Sequence, residues 1–130
     1  MTDLKGSCLC GAVSFRINGP VQNVTSCHCT QCRKTSGHYW AATGAQIADV
    51  TFTRDAGLKW YHSSDQAERG FCATCGSSLF WKPDGQARMA ISAGSIDGST
   101  GLATTNHIFV ADKGDYYLVA DGVAQKDGDL

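Results

Sequence analysis

Ser26-Cys27-His28-Cys29-Thr30-Gln31-Cys32-Arg33 packs three thiols into six consecutive positions. Two further groups flank it, Cys8-Leu9-Cys10 upstream and Cys72-Ala73-Thr74-Cys75 downstream. All seven cysteines fall in one of these groups, so none is left over for ordinary packing. Seven thiols divide most simply into one closed four-thiolate zinc site, built from the two outer pairs, and one three-thiolate site a ligand short. Closed sites are structural, and chemistry happens where a coordination position is open.

At 130 residues the chain is one domain, spanning 1–130, long enough to bury roughly two-thirds of the surface its unfolded form exposes. An apolar content of 42% with 18% charged residues describes a globular chain, and a formal net charge of -1 offers no electrostatic case for nucleic acid. The start, Met-Thr-Asp-Leu-Lys-Gly-Ser-Cys, lacks the apolar run of a secretory signal, and no stretch is long and apolar enough to suggest a membrane span. The expected compartment is therefore the cytosol. Disulfides are rare there, and cysteines one residue apart are poorly placed to bond each other, so metal explains the thiols better.

Ala12 to Ile17 alternates with Val13, Phe15 and Ile17 on one side, the pattern of a half-buried strand. Gly19-Pro20 turns the chain, and Val21 to Thr25 extends into the central cluster. Thr30 to Ser36 has room for one or two helical turns, ended by Gly37. Further strands are predicted at Tyr39–Thr43, Val50–Arg54, Leu58–His62, Ala67–Cys72, Leu79–Lys82, Ala87–Ser92, His107–Val110 and Tyr116–Ala120. Gly44, Asp55-Ala56-Gly57, Ser63-Ser64-Asp65, Gly76 and Pro83-Asp84-Gly85 punctuate them. No helix of three turns is predicted, and the fold class is all-β with only short helical turns.

Tetrahedral zinc thiolates have Zn–S bonds of about 2.3 Å, which sets neighbouring sulfurs roughly 3.7 Å apart. Residues two apart in a strand lie about 6.6 Å apart, so Cys8 and Cys10 need a bent backbone, a use for Gly6 and Gly11. Cys72 and Cys75, followed by Gly76, have knuckle spacing. Joining the two pairs links segments some sixty positions apart. The trio Cys27, Cys29 and Cys32 lacks a fourth cysteine. His28 lies between two of its members and should point away, leaving His38, His62 and His107 as distant candidates. Three thiolates weaken zinc as a Lewis acid for water, but suit it to capturing an incoming thiol and holding it as a nucleophile beside an electrophile.

Taken together, Gly6-Ser-Cys-Leu-Cys-Gly11, Cys27-His-Cys-Thr-Gln-Cys-Arg-Lys34, Phe71-Cys-Ala-Thr-Cys-Gly-Ser77 and His107-Ile-Phe-Val110 resemble the glutathione-dependent formaldehyde-activating enzyme family, which includes centromere protein V. The resemblance runs from Gly6 to about Gly122. It implies a compact β-tent fold of several coiled antiparallel sheets and two zinc ions. Cys8, Cys10, Cys72 and Cys75 would hold the structural ion. Cys27, Cys29 and Cys32 would hold the catalytic one, and the crowded negative charge of three thiolates predicts that this ion binds more loosely and is partly occupied. The implied activity is that of a carbon-sulfur lyase joining a small aldehyde, formaldehyde, to a thiol, glutathione. Tyr116-Tyr117 stands where many members carry a tryptophan.

Arg33 and Lys34 follow the trio and are candidates to meet the carboxylates of a glutathione-like thiol. Trp40, Trp60 and Trp81 are expected in the core, with Tyr39 and Phe71 walling the open site. His107 is expected as a hydrogen-bonded structural histidine, and Ser36 as a partner of a trio sulfur or a turn cap. The alternative to a lyase is a non-catalytic glutathione carrier or zinc-stabilised binding module.

Overall fold

The structure, a computed structural model, describes residues 3–129. The alternation at Phe15 and Ile17 resolves into β2 (Ser14–Asn18), which pairs antiparallel with β1 (Asp3–Ser7) and β5 (Val50–Arg54) in a three-stranded sheet. The larger sheet has eight strands: β3 (Val24–Cys27), β4 (Trp40–Gln46), β6 (Leu58–Ser64), β7 (Ala67–Cys72), β8 (Ser78–Pro83), β9 (Arg88–Ser92), β10 (Thr104–Ile108) and β11 (Ala124–Gln125). Their order is β11-β10-β3-β4-β9-β8-β7-β6. The one α-helix among the described residues, α1 (Thr30–Ser36), stops at Gly37, whose left-handed backbone (φ 85°) a side chain would strain. The all-β class with short helical turns therefore holds.

Strand pairing is antiparallel except at one end of the large sheet, where β10 runs parallel to both β3 and β11. The long connection from β9 makes this possible, because parallel neighbours need a crossover rather than a hairpin.

The two sheets face each other across the main core. Val13, Phe15 and Ile17 from the small sheet meet Phe80, Ile91, Leu79 and Ala45 from the large one. Phe80 takes both Phe15 and Phe52 edge-on, with ring centroids 5.2 and 5.5 Å away. The opposite face of the large sheet carries α1, and the central cysteines sit there.

Four segments differ from expectation. β1 escapes periodicity because its second inward position is Gly6, directly across from Phe15. The Phe15 ring fills the space a Cβ would need, so Gly6 serves close packing; the bend itself falls at Gly11 (φ 82°). Gly44 does not punctuate: β4 runs through it. Tyr116–Ala120 forms no strand. Its carbonyl at Tyr117 is taken by Lys113 Nζ at 2.8 Å, and its rings pack on histidines instead. The strand foreseen at His107–Val110 starts earlier and ends at Ile108, because Phe109 turns into the left-handed region (φ 54°).

Adding a methyl at Gly6 should overpack the core: Gly6→Ala is expected to cost about 1–3 kcal/mol in urea unfolding, and Phe15→Leu in the same chain should recover part of it.

Candidate functional site

Two turns bring the outer cysteines together. Cys8 follows β1, Cys10 lies in the turn to β2, Cys72 ends β7 and Cys75 sits in the turn to β8. Their four Sγ atoms lie within 4.8 Å of one another, with Cys8–Cys10 at 3.7 Å and Cys10–Cys72 at 3.8 Å. Those separations match the edge of a tetrahedron with thiolate–zinc bonds of about 2.3 Å. Backbone N–H groups of Val13 and Cys75 donate to the Cys8 and Cys72 sulfurs at 3.3 and 3.5 Å. The side chain and backbone of Ser77 hold the Cys75 thiol down to about 5. Gly57 is wedged between the two turns, and a Cβ there would lie 2.9 Å from both Ala12 Cβ and Cys72 Sγ.

The trio is assembled locally. Cys27 ends β3, Cys29 caps α1 by accepting from Cys32 N–H at 3.3 Å, and Cys32 lies on the helix's buried side. Their sulfurs also lie within 4.8 Å of one another. No fourth His, Cys, Asp or Glu donor joins them among the described residues. Charge is shared unevenly. Cys27, donating to Cys32, is pushed well up, whereas that contact and the Arg69 guanidinium hold Cys32 down at about 6. Both donor sets consist of sulfur alone, and the outer one has tetrahedral spacing, which fits zinc.

His28 turns away from the sulfurs on either side of it, as its position requires. It is fully buried in a chain in which Nδ1 meets the Tyr117 hydroxyl, Nε2 meets His107 Nδ1 at 2.9 Å, and His107 Nε2 meets Asp121 Oδ2 at 2.7 Å. Donors all running from Tyr117 toward Asp121 satisfy every bond with both rings neutral. Burial first, and repulsion from His107 second, lower the His28 pKa to about 4. His107 is thus a structural histidine. His38 hydrogen-bonds Tyr116 and His62 lies beside Glu68 and Asp84, both away from the trio.

The trio opens on a cavity of about 540 Å³. One face of the large sheet forms its floor: alternation along β3, β4, β8 and β9 presents Thr25, Ala42, Trp81 and Ala90 beside Cys27 and Trp40. Trp40 and Trp81 therefore line the cavity, while Trp60 packs against the core and under Lys82. Tyr39 packs at a tilt against His28, Phe71 meets Tyr61 edge-on, and neither lines the cavity. Arg33 and Lys34 are outside the lining as well: they follow Cys32 on α1, about 100° further round the helix per residue. Ser36 caps its own turn through the Cys32 carbonyl at 2.7 Å.

The basic groups that do line the cavity are Arg69 on β7 and Arg88 on β9, with Asp129 contributed by the C-terminal end. Sequence reasoning passed over both arginines because neither lies near a cysteine in the chain. The available signal was a charge at an inward-facing strand position: in Ala67–Cys72, Arg69 falls in step with buried Ala67.

With this geometry in place, the chain can be set beside known proteins. The family model for the glutathione-dependent formaldehyde-activating enzyme matches residues 3–112, and the chain belongs to that family. An uncharacterized lyase of Schizosaccharomyces pombe is 29% identical over 123 residues, covering 93% of this chain and 88% of its own. A Halomonas elongata protein provisionally named for the family is 33% identical over 92 residues, 59% of this chain and 54% of its own. The crystal structure of a Rhodobacter sphaeroides protein superposes with a TM-score of 0.62 at 26% identity, over 75% of this chain and 91% of that one.

Tyr117 has a predicted stability role separate from the sulfurs, because the His28–His107 bond still holds the His28 ring without it. Tyr117→Phe leaves the buried His28 Nδ1 without its donor and should cost about 1–3 kcal/mol in urea unfolding, with thiol reactivity of the folded protein unchanged.

Proposed function

We propose that the chain is a zinc-dependent carbon-sulfur lyase acting on adducts between a thiol and a small aldehyde, glutathione and formaldehyde being the pair its family name specifies. One observation carries this reading: three converging sulfurs at the floor of a cavity with no fourth protein donor beside them. Cys27, Cys29 and Cys32 would hold the reactive ion, and Cys8, Cys10, Cys72 and Cys75 the structural one. When bound at the trio, zinc supplies a cation that keeps an added thiol deprotonated at neutral pH.

The cavity's own groups do the rest. Trp40, Trp81, Ala42 and Ala90 offer apolar walls that exclude water and take the aliphatic part of a thiol. Arg88, with no ion-pair partner among the described residues, suits a substrate carboxylate. Arg33 and Lys34 are candidates for the part of a peptidic thiol that extends beyond the cavity. In the synthetic direction the thiolate pair forms the sulfur–carbon bond as the carbonyl π pair moves to oxygen, which takes a proton from solvent. The reverse releases thiol and aldehyde. A cytosolic, reducing setting would keep all seven thiols available. Among the described residues no helix is long and apolar enough to cross a membrane.

Turnover of the glutathione–formaldehyde adduct by zinc-loaded protein, followed by exchange NMR, tests the reading. Cys29→Ser should abolish the catalysed exchange and leave the melting temperature near that of the unaltered protein. Cys72→Ser should prevent folding, since a closed thiolate site contributes on the order of 10 kcal/mol. Glutathione binding with no change in exchange rate would instead identify a carrier, and indifference to glutathione a binding module. Under a graded chelator, metal analysis should show one ion leaving at low concentration with the fold intact, and the second leaving only as the protein unfolds.

A further inference from the structure

Arg69 is 4% exposed, yet among the described residues no carboxylate lies within ion-pair distance of it. Its Nε donates to Gln31 Oε1 at 2.9 Å, its Nη2 donates to Cys32 Sγ at 3.4 Å, and its guanidinium carbon lies 5.6 Å from the centroid of the Trp40 ring. Its Nη1 is buried and has no partner. A guanidinium cannot neutralise itself by losing a proton, and a buried cation without a counter-charge is strongly destabilising. The counter-charge within reach of Arg69 is the trio itself, whose Cys32 sulfur it touches.

The consequence concerns what the trio accepts. Three thiolates around a divalent cation carry one net negative charge, and a thiolate added as a fourth ligand makes two. In a half-buried site that build-up opposes an anion and favours a neutral ligand. A fixed positive charge in contact with one of the sulfurs cancels one unit of it. We propose that Arg69 is the residue that lets this site take an anionic sulfur ligand, so that it selects thiolates over neutral donors. Arg69 acts through Cys32 and the local field, as a positioning and specificity residue. Gln31 fixes its direction by holding Nε, and Trp40 limits its access to water. Arg88 and Asp129, the other charged groups lining the cavity, show no contact with it. This inference rests on the thiol-capture reading above.

Cobalt-substituted protein gives a readout independent of turnover, because an added sulfur ligand changes the sulfur-to-cobalt charge-transfer bands. Wild-type protein, Arg69→Met, Arg69→Gln and Arg69→Lys are each titrated with glutathione and, separately, with imidazole as a neutral donor. Expected is a roughly ten- to hundredfold loss of glutathione affinity in whichever neutral variants fold, with imidazole affinity unchanged and the thiol preference largely restored in Arg69→Lys. The restoration by lysine separates charge from packing. Equal glutathione affinity in wild type and a folded neutral variant, or equal losses for glutathione and imidazole, would overturn the role of Arg69 while leaving thiol capture in place. No spectral response of the wild type to glutathione would overturn thiol capture and this inference with it.

Discussion

Convergence of sulfur donors from distant parts of the chain is the constraint on which the rest depends. Cys8 and Cys10 follow the first strand of the small sheet, while Cys72 ends, and Cys75 follows, a strand near the far edge of the large one. The hydrophobic contact between the sheets would tolerate some sliding, because apolar burial is non-directional. Four sulfurs sharing one metal ion would not tolerate it. Gly57 shows how tightly the two turns are set, since even a methyl group there would press on Ala12 and Cys72.

With the sheets fixed in this way, their two sides divide the labour. The inner side of the large sheet supplies Phe80, Ile91 and Ala45 to the core. The outer side, through alternation along the same strands, presents Trp81, Ala90 and Ala42 to the cavity. Residues one step apart in sequence therefore face the core and the cavity respectively. The family assignment agrees with this arrangement: the matched region, residues 3–112, contains all seven cysteines and both cavity arginines.

Much of this was legible from the residues alone, for identifiable reasons. Strands Val50–Arg54 and Ala67–Cys72 carried clear boundaries, and α1 ended at Gly37. The cysteine groups could be divided by counting, because metal-ligand spacing is short-range. What stayed hidden was long-range or carried no side chain. β1 had a glycine where an apolar residue would have marked it. The pairing of β10 with β3 joins segments some eighty positions apart. Tyr117, His107 and Asp121 find His28 only through the fold, and Arg69 meets Cys32 across 37 positions. Local pattern marks where a side chain points but not what it meets.

His28 ties these levels together. Because its ring is anchored in a buried polar chain on one side of the backbone, the residues before and after it must project to the other. The peptide from Cys27 to Cys29 thus behaves like a pinned hinge plate, its two thiols oriented by a bolt driven in from behind. An ion held by the trio would then be reached from the cavity, on the side of the backbone opposite the buried polar chain.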